Sequence, residues 1–414
     1  MKHIINAVVK RKKQIIALAK NIVEIPTVNP PGMNYERCVE FLELSCKKAG
    51  LKTRRYYVPK PELKKLGIEA GFARVNLVAS WDTGAKKTLH INGHYDVVPA
   101  TGNWQTDPFK PRIKDGKLFG RGSEDMKANI ACMISAVDVL QGLKICPAVN
   151  VELSFTPDEE TGGQTGLAYL LKKKLIKADY AIGEGYEDDY AAIGNKGMLW
   201  LEVGVYGTSA HASTPYRGEN AFEHMLEISR AVSGLESVLN RRRTRCVTRD
   251  KRDAYSTLVV GGKIAGGNKT NIVPDYASFS IDRRLIPEET VAEARRELEG
   301  IIRAKSAKNR NVRVKIRTTT AEEPVISKRD DHFLDVFSKA LSSVLAKKLK
   351  TAIMPGGTDL RFFIRQGVPC LGYSVKGGQR AHADNEFVYC KSIIDTTKIF
   401  ALVINGLNRV KQAR

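Results

Sequence analysis

The sequence has 414 residues, 43% hydrophobic and 27% charged, a composition typical of a globular protein with more than one domain. It holds no run of about 18 apolar residues, which predicts no membrane partner, and its seven scattered cysteines form no CxxC pair, which predicts reduced thiols in the cytoplasm. The net charge of +22 is the outlier, and charge is the only feature that suggests a nucleic-acid-binding protein, because no base-stacking or zinc-finger motif accompanies it.

The segment from residue 1 to about 195 alternates between helical and strand-like patterns. Helical spacing of apolar residues covers 4–24, 34–49, 127–142 and 165–176. Apolar strand-like runs cover 74–81, 87–92, 148–155 and 178–183. This alternation predicts the α/β class, with a mainly parallel sheet flanked by helices.

After Asn195-Lys196-Gly197 the pattern changes to an inserted α+β module of βαββαβ order. Its predicted elements are a strand in MLWLEVGVYGTSAH, a helix over 219–238, strands over 255–265 and 275–285, a helix over 288–305 and a strand ending near 317. The α/β pattern then returns, with helices near 331–347 and 391–410. We therefore predict a discontinuous catalytic domain, 1–195 with 319–414, interrupted by a second domain over 196–318.

Polar residues follow several of the predicted strands of the α/β segments. His94 and Asp96 lie two residues apart, so they project from the same side of a strand. A carboxylate in that place orients a metal-binding histidine, although a buried structural pair is the common alternative for an isolated HxD. Asp125 precedes an apolar helix, where an aspartate is ordinarily a cap.

Four further residues complete the series. Glu159 and Glu160 follow a strand, either as solvated turn residues or as paired carboxylates that divide ligand and proton-transfer roles. Glu184 ends another strand, and His382 lies in a polar loop after the Gly-rich turn PGGTD. The ends of strands in open α/β sheets converge on a ligand crevice, which predicts that these side chains meet.

Six motifs in order resemble those of the M20 family of zinc-dependent amidohydrolases and peptidases. The motifs are HINGHYDVVPA, GRGSEDMKANIA, TPDEETGG, GEG, GTSAHAS and HADNEF. That family includes succinyl-diaminopimelate desuccinylase, acetylornithine deacetylase, aminoacylases and glutamate carboxypeptidases. The resemblance covers almost the whole chain.

The resemblance implies two zinc ions per chain, for which cobalt or manganese can substitute. It implies that Asp125 bridges both ions. It assigns the other ligands in pairs, His94 with Glu184 and Glu160 with His382. Family members often have proline after the acid equivalent to Glu184, whereas this chain has glycine followed by further acids at 187–189.

The resemblance also implies roles beside the ions. Asp96 would orient His94, and Glu159 would be the general base and then the acid that protonates the leaving amine. The peptide between Asp125 and Met126 is expected to be cis.

In the inserted module, the resemblance implies a lid that pairs in a homodimer. There His211 would polarise the scissile carbonyl, while Asn271 and Arg283 would hold the substrate carboxylate. Gly357 and Thr358 of PGGTD would line the same pocket.

These implications favour hydrolysis of the amide of an N-acyl amino acid, of the N-succinyl-diaminopimelate or N-acetylornithine type. A dipeptidase, carboxypeptidase or aminoacylase is the alternative within the family. A non-catalytic homologue would lack the base or one of the metal ligands. Every expected position is filled in this sequence, which disfavours that alternative.

Overall fold

A computed structural model describes residues 1–68, 71–309 and 311–407. These divide into two compact units. The first unit comprises 1–193, 327–351 and 358 to the end of the described chain, and the second comprises 194–326 and 352–357. The predicted roles of these segments, catalytic and lid, stay predictions.

The elements up to residue 195 supply most of the first unit. The helices are α1 (Lys2–Lys10), α2 (Lys12–Val23), α3 (Tyr35–Lys48), α4 (Lys60–Lys65), α5 (Ala128–Gly142) and α6 (Leu167–Lys172). The strands are β1 (Lys52–Tyr57), β2 (Val75–Trp81), β3 (Thr88–His94), β4 (Arg112–Lys114), β5 (Lys117–Phe119), β6 (Asn150–Thr156), β7 (Tyr180–Tyr186) and β8 (Tyr190–Asn195). The helix predicted over 4–24 is two helices, α1 and α2, which meet at Arg11.

The inserted segment and the C-terminal return follow in chain order. The inserted segment contains β9 (Gly197–Tyr206), β10 (Ala210–His211), α7 (Ala221–Ser233), α8 (Glu236–Leu239), β11 (Thr257–Gly266), β12 (Ile272–Val273), β13 (Tyr276–Leu285), α9 (Val291–Ser306), β14 (Arg313–Glu322) and β15 (Val325–Ile326). The return contains α10 (Asp331–Leu345), β16 (Lys350–Met354), α11 (Leu360–Arg365), β17 (Cys370–Tyr373), β18 (Phe387–Tyr389) and α12 (Cys390–Gly406). Positions 408–410 of the helix predicted over 391–410 lie outside the described residues.

The sheet of the first unit runs in the order β1-β2-β6-β3-β7-β17-β8. Its centre is parallel, as predicted: β3 pairs with β6 and β7, and β7 pairs with β17. The flanks are antiparallel, which the sequence pattern did not indicate. Parallel neighbours end at the same edge, so the ends of β3, β6 and β7 bring their following residues together.

Buried helices cover this sheet. In α5 and α12 nearly every residue is buried, because these helices pack against each other as well as against their neighbours. Such all-round burial explains why both helices are apolar on every face. No helix among the described residues is both long and apolar enough to cross a membrane.

The second unit is a layer of helix on an antiparallel sheet of order β11-β13-β9-β14. Alternate residues of β9, from Leu199 to Val205, point into an apolar core that includes Met225 of α7 and Leu298 of α9. This period-2 burial is the pattern of a sheet with one covered face. The short strands β10 and β12 pair separately, with His211 opposite Ile272.

Candidate active site

Three strand ends of the first unit meet around His94, as the sequence pattern predicts. His94 ends β3, Glu184 lies near the end of β7, and Glu159 and Glu160 lie in the turn that follows β6. One ligand atom each from His94, Glu159 and Glu184 lie within 4.8 Å of one another. The same limit holds for His94, Asp125 and Glu160, so the groups share the imidazole.

Asp125 lies between the two histidines. One carboxylate oxygen is 2.9 Å from His94 Nε2, and the other is 3.3 Å from His382 Nε2. His382 Nε2 is also 3.0 Å from Glu160 Oε2. The two oxygens of Asp125 therefore face different histidines, which is the arrangement that the predicted bridging role needs. The Asp125–Met126 peptide is cis, which confirms that expectation.

Asp96 is fully buried and connects His94 with the glutamate turn. Its carboxylate lies 3.4 Å from His94 Nδ1, and that nitrogen also donates to the Asp96 carbonyl at 3.1 Å. The same carboxylate accepts the backbone N–H groups of Glu159 and Glu160, at 3.2 and 3.3 Å. One aspartate thus fixes the imidazole tautomer and the turn that carries both glutamates.

Burial, and after it the charges of neighbouring carboxylates, dominates the electrostatics of this centre. Burial, followed by the charge of Asp125, raises the pKa of Glu184 to about 8. Burial, followed by the charge of Glu184, raises the pKa of Glu159 well above its ordinary value. Hydrogen bonds to Asp125 and Glu160 raise the pKa of His382 to about 10.

Asp125 behaves in the opposite way. Burial opposes its ionisation, but hydrogen bonds from His382 and His94 outweigh burial and hold the pKa of Asp125 below its ordinary value. The centre is thus rich in carboxyl groups that become stable as anions only beside positive charge. Oxygen and imidazole donors in this arrangement fit divalent metal ions of the zinc, cobalt or manganese kind.

A buried polar network that the sequence analysis missed holds the glutamate turn from behind. Asp158 accepts from Arg74 Nε at 2.5 Å, from Tyr35 at 2.8 Å and from Asn29 at 3.1 Å. Asn29 also donates to Asp96, at 3.0 Å. The PDEE sequence offered one signal, an additional acid directly before the glutamate pair, but its partners lie 84 to 129 residues away.

Two further missed residues lie beside the proposed base. Asp359 and Arg361 follow Thr358 at the start of α11 and are both 3% exposed. One guanidinium nitrogen of Arg361 is 3.9 Å from the Glu159 carboxylate, and another donates to the Gly162 carbonyl at 2.8 Å. Burial raises the pKa of Asp359 to about 6. Buried charged residues next to a predicted pocket motif were the available signal.

The structure separates Glu184 from the acids that follow it. Asp188 pairs with Lys347 at 2.6 Å and with Lys376 at 3.0 Å, and Asp189 pairs with Lys350 at 2.8 Å. The glycine after Glu184, where family members often have proline, lies against the backbone of β17. A Cβ there would come within 2.2 Å of the Gly372 carbonyl carbon, so only glycine fits.

His211 and Asn271 lie together in the second unit. The backbone carbonyl of Asn271 accepts from Ala212 N at 3.0 Å, and both side chains belong to exposed residues. His211 Nδ1 accepts from the backbone N–H of Ser213 at 3.1 Å and lies 2.7 Å from its hydroxyl. This exposed pair is available to a ligand or to another molecule.

Arg283 is buried and not available to a ligand, which contradicts its predicted contact with the substrate carboxylate. It is fully buried in β13 and donates to Glu289 at 2.6 Å and to the Arg284 carbonyl at 2.6 Å. The alternation of β13 carried the signal, because Phe279, Ile281 and Leu285 point inward and Arg283 shares their face. A guanidinium enclosed in this core serves packing and pairing.

Gly357 and Thr358 precede α11. Gly357 is half-buried, and Thr358 is 3% exposed, with its carbonyl accepting from Arg361 N at 3.1 Å. The Thr358 carbonyl therefore begins the turn that carries Asp359 and Arg361, and the role of Thr358 toward a substrate stays a prediction.

The profile of peptidase family M20/M25/M40 matches residues 90–406. The chain belongs to this family. This M20 protein is 27% identical, over 94% of its length and 98% of the relative, to a Methanocaldococcus jannaschii protein described as an uncharacterized metallohydrolase. It is 25% identical to a succinyl-diaminopimelate desuccinylase of Helicobacter pylori, over 95% of its length and 99% of the relative.

The fold of the chain is also similar to that of a solved structure from this family. An M20 family metallo-carboxypeptidase from Sulfolobus solfataricus superposes with a TM-score of 0.73 at 19% identity, over 95% of this chain and 98% of that chain. At that identity the likeness concerns the fold. The M20 protein is a metal-dependent hydrolase, and the expectation drawn from its six motifs is confirmed at that level.

Proposed function

We propose that this M20 protein hydrolyses the amide bond of an N-acyl amino acid with two zinc ions bound. The observation that carries the proposal is the position of Asp125, with one carboxylate oxygen toward His94 and the other toward His382. His94 and Glu184 would hold one ion, and Glu160 and His382 the other. When bound, the ions would supply an activated water and polarise the substrate carbonyl.

The protein side chains would move the protons. Glu159 lies beside the ligands and is held by Asp96 through its backbone, which leaves its carboxylate to take a proton from water and pass it to the leaving nitrogen. Burial and the charge of Glu184 raise the pKa of Glu159, which favours the proton uptake that a general base needs. His211 would donate a hydrogen bond to the carbonyl oxygen, and Asn271 would hold the substrate carboxylate.

N-succinyl-diaminopimelate is the substrate we favour, with N-acetylornithine next. The similarity to a desuccinylase over 95% of the chain supports this choice. The net charge of +22 favours a substrate with several carboxylates, because a positive field raises its local concentration. A dipeptidase or carboxypeptidase is the second candidate, favoured by the fold shared with a metallo-carboxypeptidase.

The test is hydrolysis by the zinc-loaded protein of matched succinyl, acetyl and dipeptide substrates. We expect the highest kcat/KM for the succinyl compound, loss of activity with chelator, and about two zinc ions per chain by elemental analysis. Full activity in a metal-free sample would contradict the metal mechanism. Preference for dipeptides would leave the mechanism intact and replace the substrate.

We also propose that the second unit pairs with a second copy of the chain. Edge strand β11 carries the exposed side chains of Val259 and Ile264, and neighbouring α7 carries Phe222 and Leu226, which are 46% and 49% exposed. An edge strand beside an apolar helix face is a surface that strand pairing between copies would cover. We place the dimer in the cytoplasm because the seven cysteines of the chain are all free thiols, which persist in a reducing compartment.

Light scattering tests the pairing. Leu226→Glu should convert the dimer to a monomer, while Leu44→Glu, at a residue 62% exposed on α3 of the first unit, should leave the mass unchanged. Equal masses for both variants would contradict the proposed interface.

A further inference from the structure

Two loops of the proposed metal centre are far apart in sequence, and each sends one glutamate to accept backbone hydrogen bonds from the other. The first loop, residues 120–125, carries Asp125. The second loop, residues 377–387, carries His382. Their neighbouring strands β5 and β18 pair antiparallel, with Phe119 opposite Phe387. The strands bring the loops side by side, but they do not fix the ends that carry the two ligands.

Glu386 reaches from the second loop into the first. It is 1% exposed, and its carboxylate accepts the backbone N–H groups of Gly122, Glu124 and Asp125 at 3.1, 2.8 and 3.2 Å. Arg121 donates to the same carboxylate at 2.5 Å. Three backbone donors of the loop that carries Asp125 thus depend on one side chain of the other loop.

Glu124 reaches in the opposite direction. Its carboxylate accepts the backbone N–H groups of Gln379 and Arg380, both at 2.9 Å. The guanidinium of Arg121 adds another link between the loops, because it donates to the His382 carbonyl at 3.0 Å. Every one of these contacts is made by atoms other than the metal-binding ones.

We propose that Glu124 and Glu386 are positioning residues that form a reciprocal clamp and hold Asp125 and His382 at ligand distance before a metal ion binds. The inference rests on the proposed metal centre. Hydrogen bonds to a carboxylate are stronger than neutral ones, and buried N–H groups without partners are costly, so each loop stabilises the conformation of the other. The two ligands already lie 3.3 Å apart, His382 Nε2 to Asp125 Oδ2.

Two variants of the full chain test the clamp. Glu386→Gln keeps the side-chain size but turns an N–H donor toward backbone N–H groups. Glu124→Ala removes only the half-exposed carboxylate of the pair. It provides the test if Glu386→Gln fails to fold. Glu289→Gln, which weakens the Arg283 ion pair in the second unit, is the matched control for general destabilisation.

The metal-free proteins are titrated with Zn²⁺ by calorimetry, and amide hydrogen exchange is followed at residues 379 and 380. We expect Glu386→Gln and Glu124→Ala to weaken at least one of the two zinc sites roughly 10–100-fold, the range for groups that orient ligands, and we expect Glu289→Gln to leave both unchanged. Those amides should be protected in the metal-free wild type and should exchange freely in Glu124→Ala.

Two results would overturn the proposal. If Glu124→Ala frees these amides and both zinc affinities stay within about threefold of wild type, the clamp does not position the ligands. The same conclusion follows if the amides exchange freely in the metal-free wild type. A wild-type chain that binds no zinc at all would instead contradict the metal centre itself, which distinguishes the two failures.

Discussion

The two units present histidines in opposite surroundings. His94 is 1% exposed, and its ring nitrogens contact Asp96 and Asp125. His211 is exposed, and its ring contacts Ser213, only two residues along the chain. The first histidine is fixed by residues from several strands and loops, whereas the second is fixed by its own turn.

The difference shows how each region can work. The first unit holds the proposed ligands, the proposed base and their supporting network together, so this centre is assembled before any substrate arrives. The His211 turn has a defined local geometry and an open side, so its contribution begins when another molecule reaches it. Substitutions at the two kinds of site should therefore have different consequences.

The largest effect is expected at the base. Glu159→Gln should lower kcat about 10²–10⁴-fold, because the amide cannot take a proton. Zinc content, measured by elemental analysis, should remain at the wild-type level, since Glu160 and His382 are unchanged. The adjacent Glu160→Gln is the matched comparison and should lose zinc. Near-wild-type turnover of Glu159→Gln would contradict the proton-transfer role.

His211→Ala should lower kcat about 10²–10³-fold, the loss typical of a removed oxyanion donor, without changing zinc affinity. Mixing it with Glu159→Ala tests whether the histidine serves the other copy. A heterodimer would contain one intact site, so activity should recover to at most about half of the wild-type value per dimer. No recovery in a mixture that contains heterodimers by mass would place His211 in its own chain's site or outside the reaction.

Arg283→Met should act on stability alone. Removing the guanidinium leaves Glu289 with Arg242, which lies 3.1 Å away, so the free energy of unfolding should fall by about 2–3 kcal/mol. The KM of the folded enzyme should stay unchanged because Arg283 is enclosed. Denaturant unfolding and steady-state kinetics measure the two effects, and a raised KM at native stability would restore the substrate role.

The smallest effect concerns pH and the metal. In the metal-free protein the pKa of His382 is about 10 and that of Glu184 about 8, so both bind protons at neutral pH. Zinc must displace those protons, and its apparent affinity should rise with pH by up to about tenfold per unit for each proton displaced. Calorimetry in buffers of different ionisation enthalpy measures the release, which His211→Ala should not alter. A zinc affinity independent of pH would contradict the displacement of these protons by the metal.

Particular residues show what the sequence could and could not predict. The spacing of His94 and Asp96 indicated one shared side, and parallel strands ending at one edge brought Glu184 and the glutamate turn to it. Asn29 and Arg74 were not predictable, because their contacts with Asp158 span 129 and 84 residues and no local pattern records them. Arg283 was misassigned because a motif outweighed the strand alternation that turned it inward.

The turn at His211 also decides which proton the imidazole carries. A backbone N–H can only donate, so the Ser213 amide makes Nδ1 an acceptor, and the neutral ring carries its hydrogen on Nε2. The ring therefore presents its Nε2 hydrogen to whatever molecule contacts it, so in the proposed reaction His211 would donate a hydrogen bond and the carboxylate of Glu159 would carry the protons.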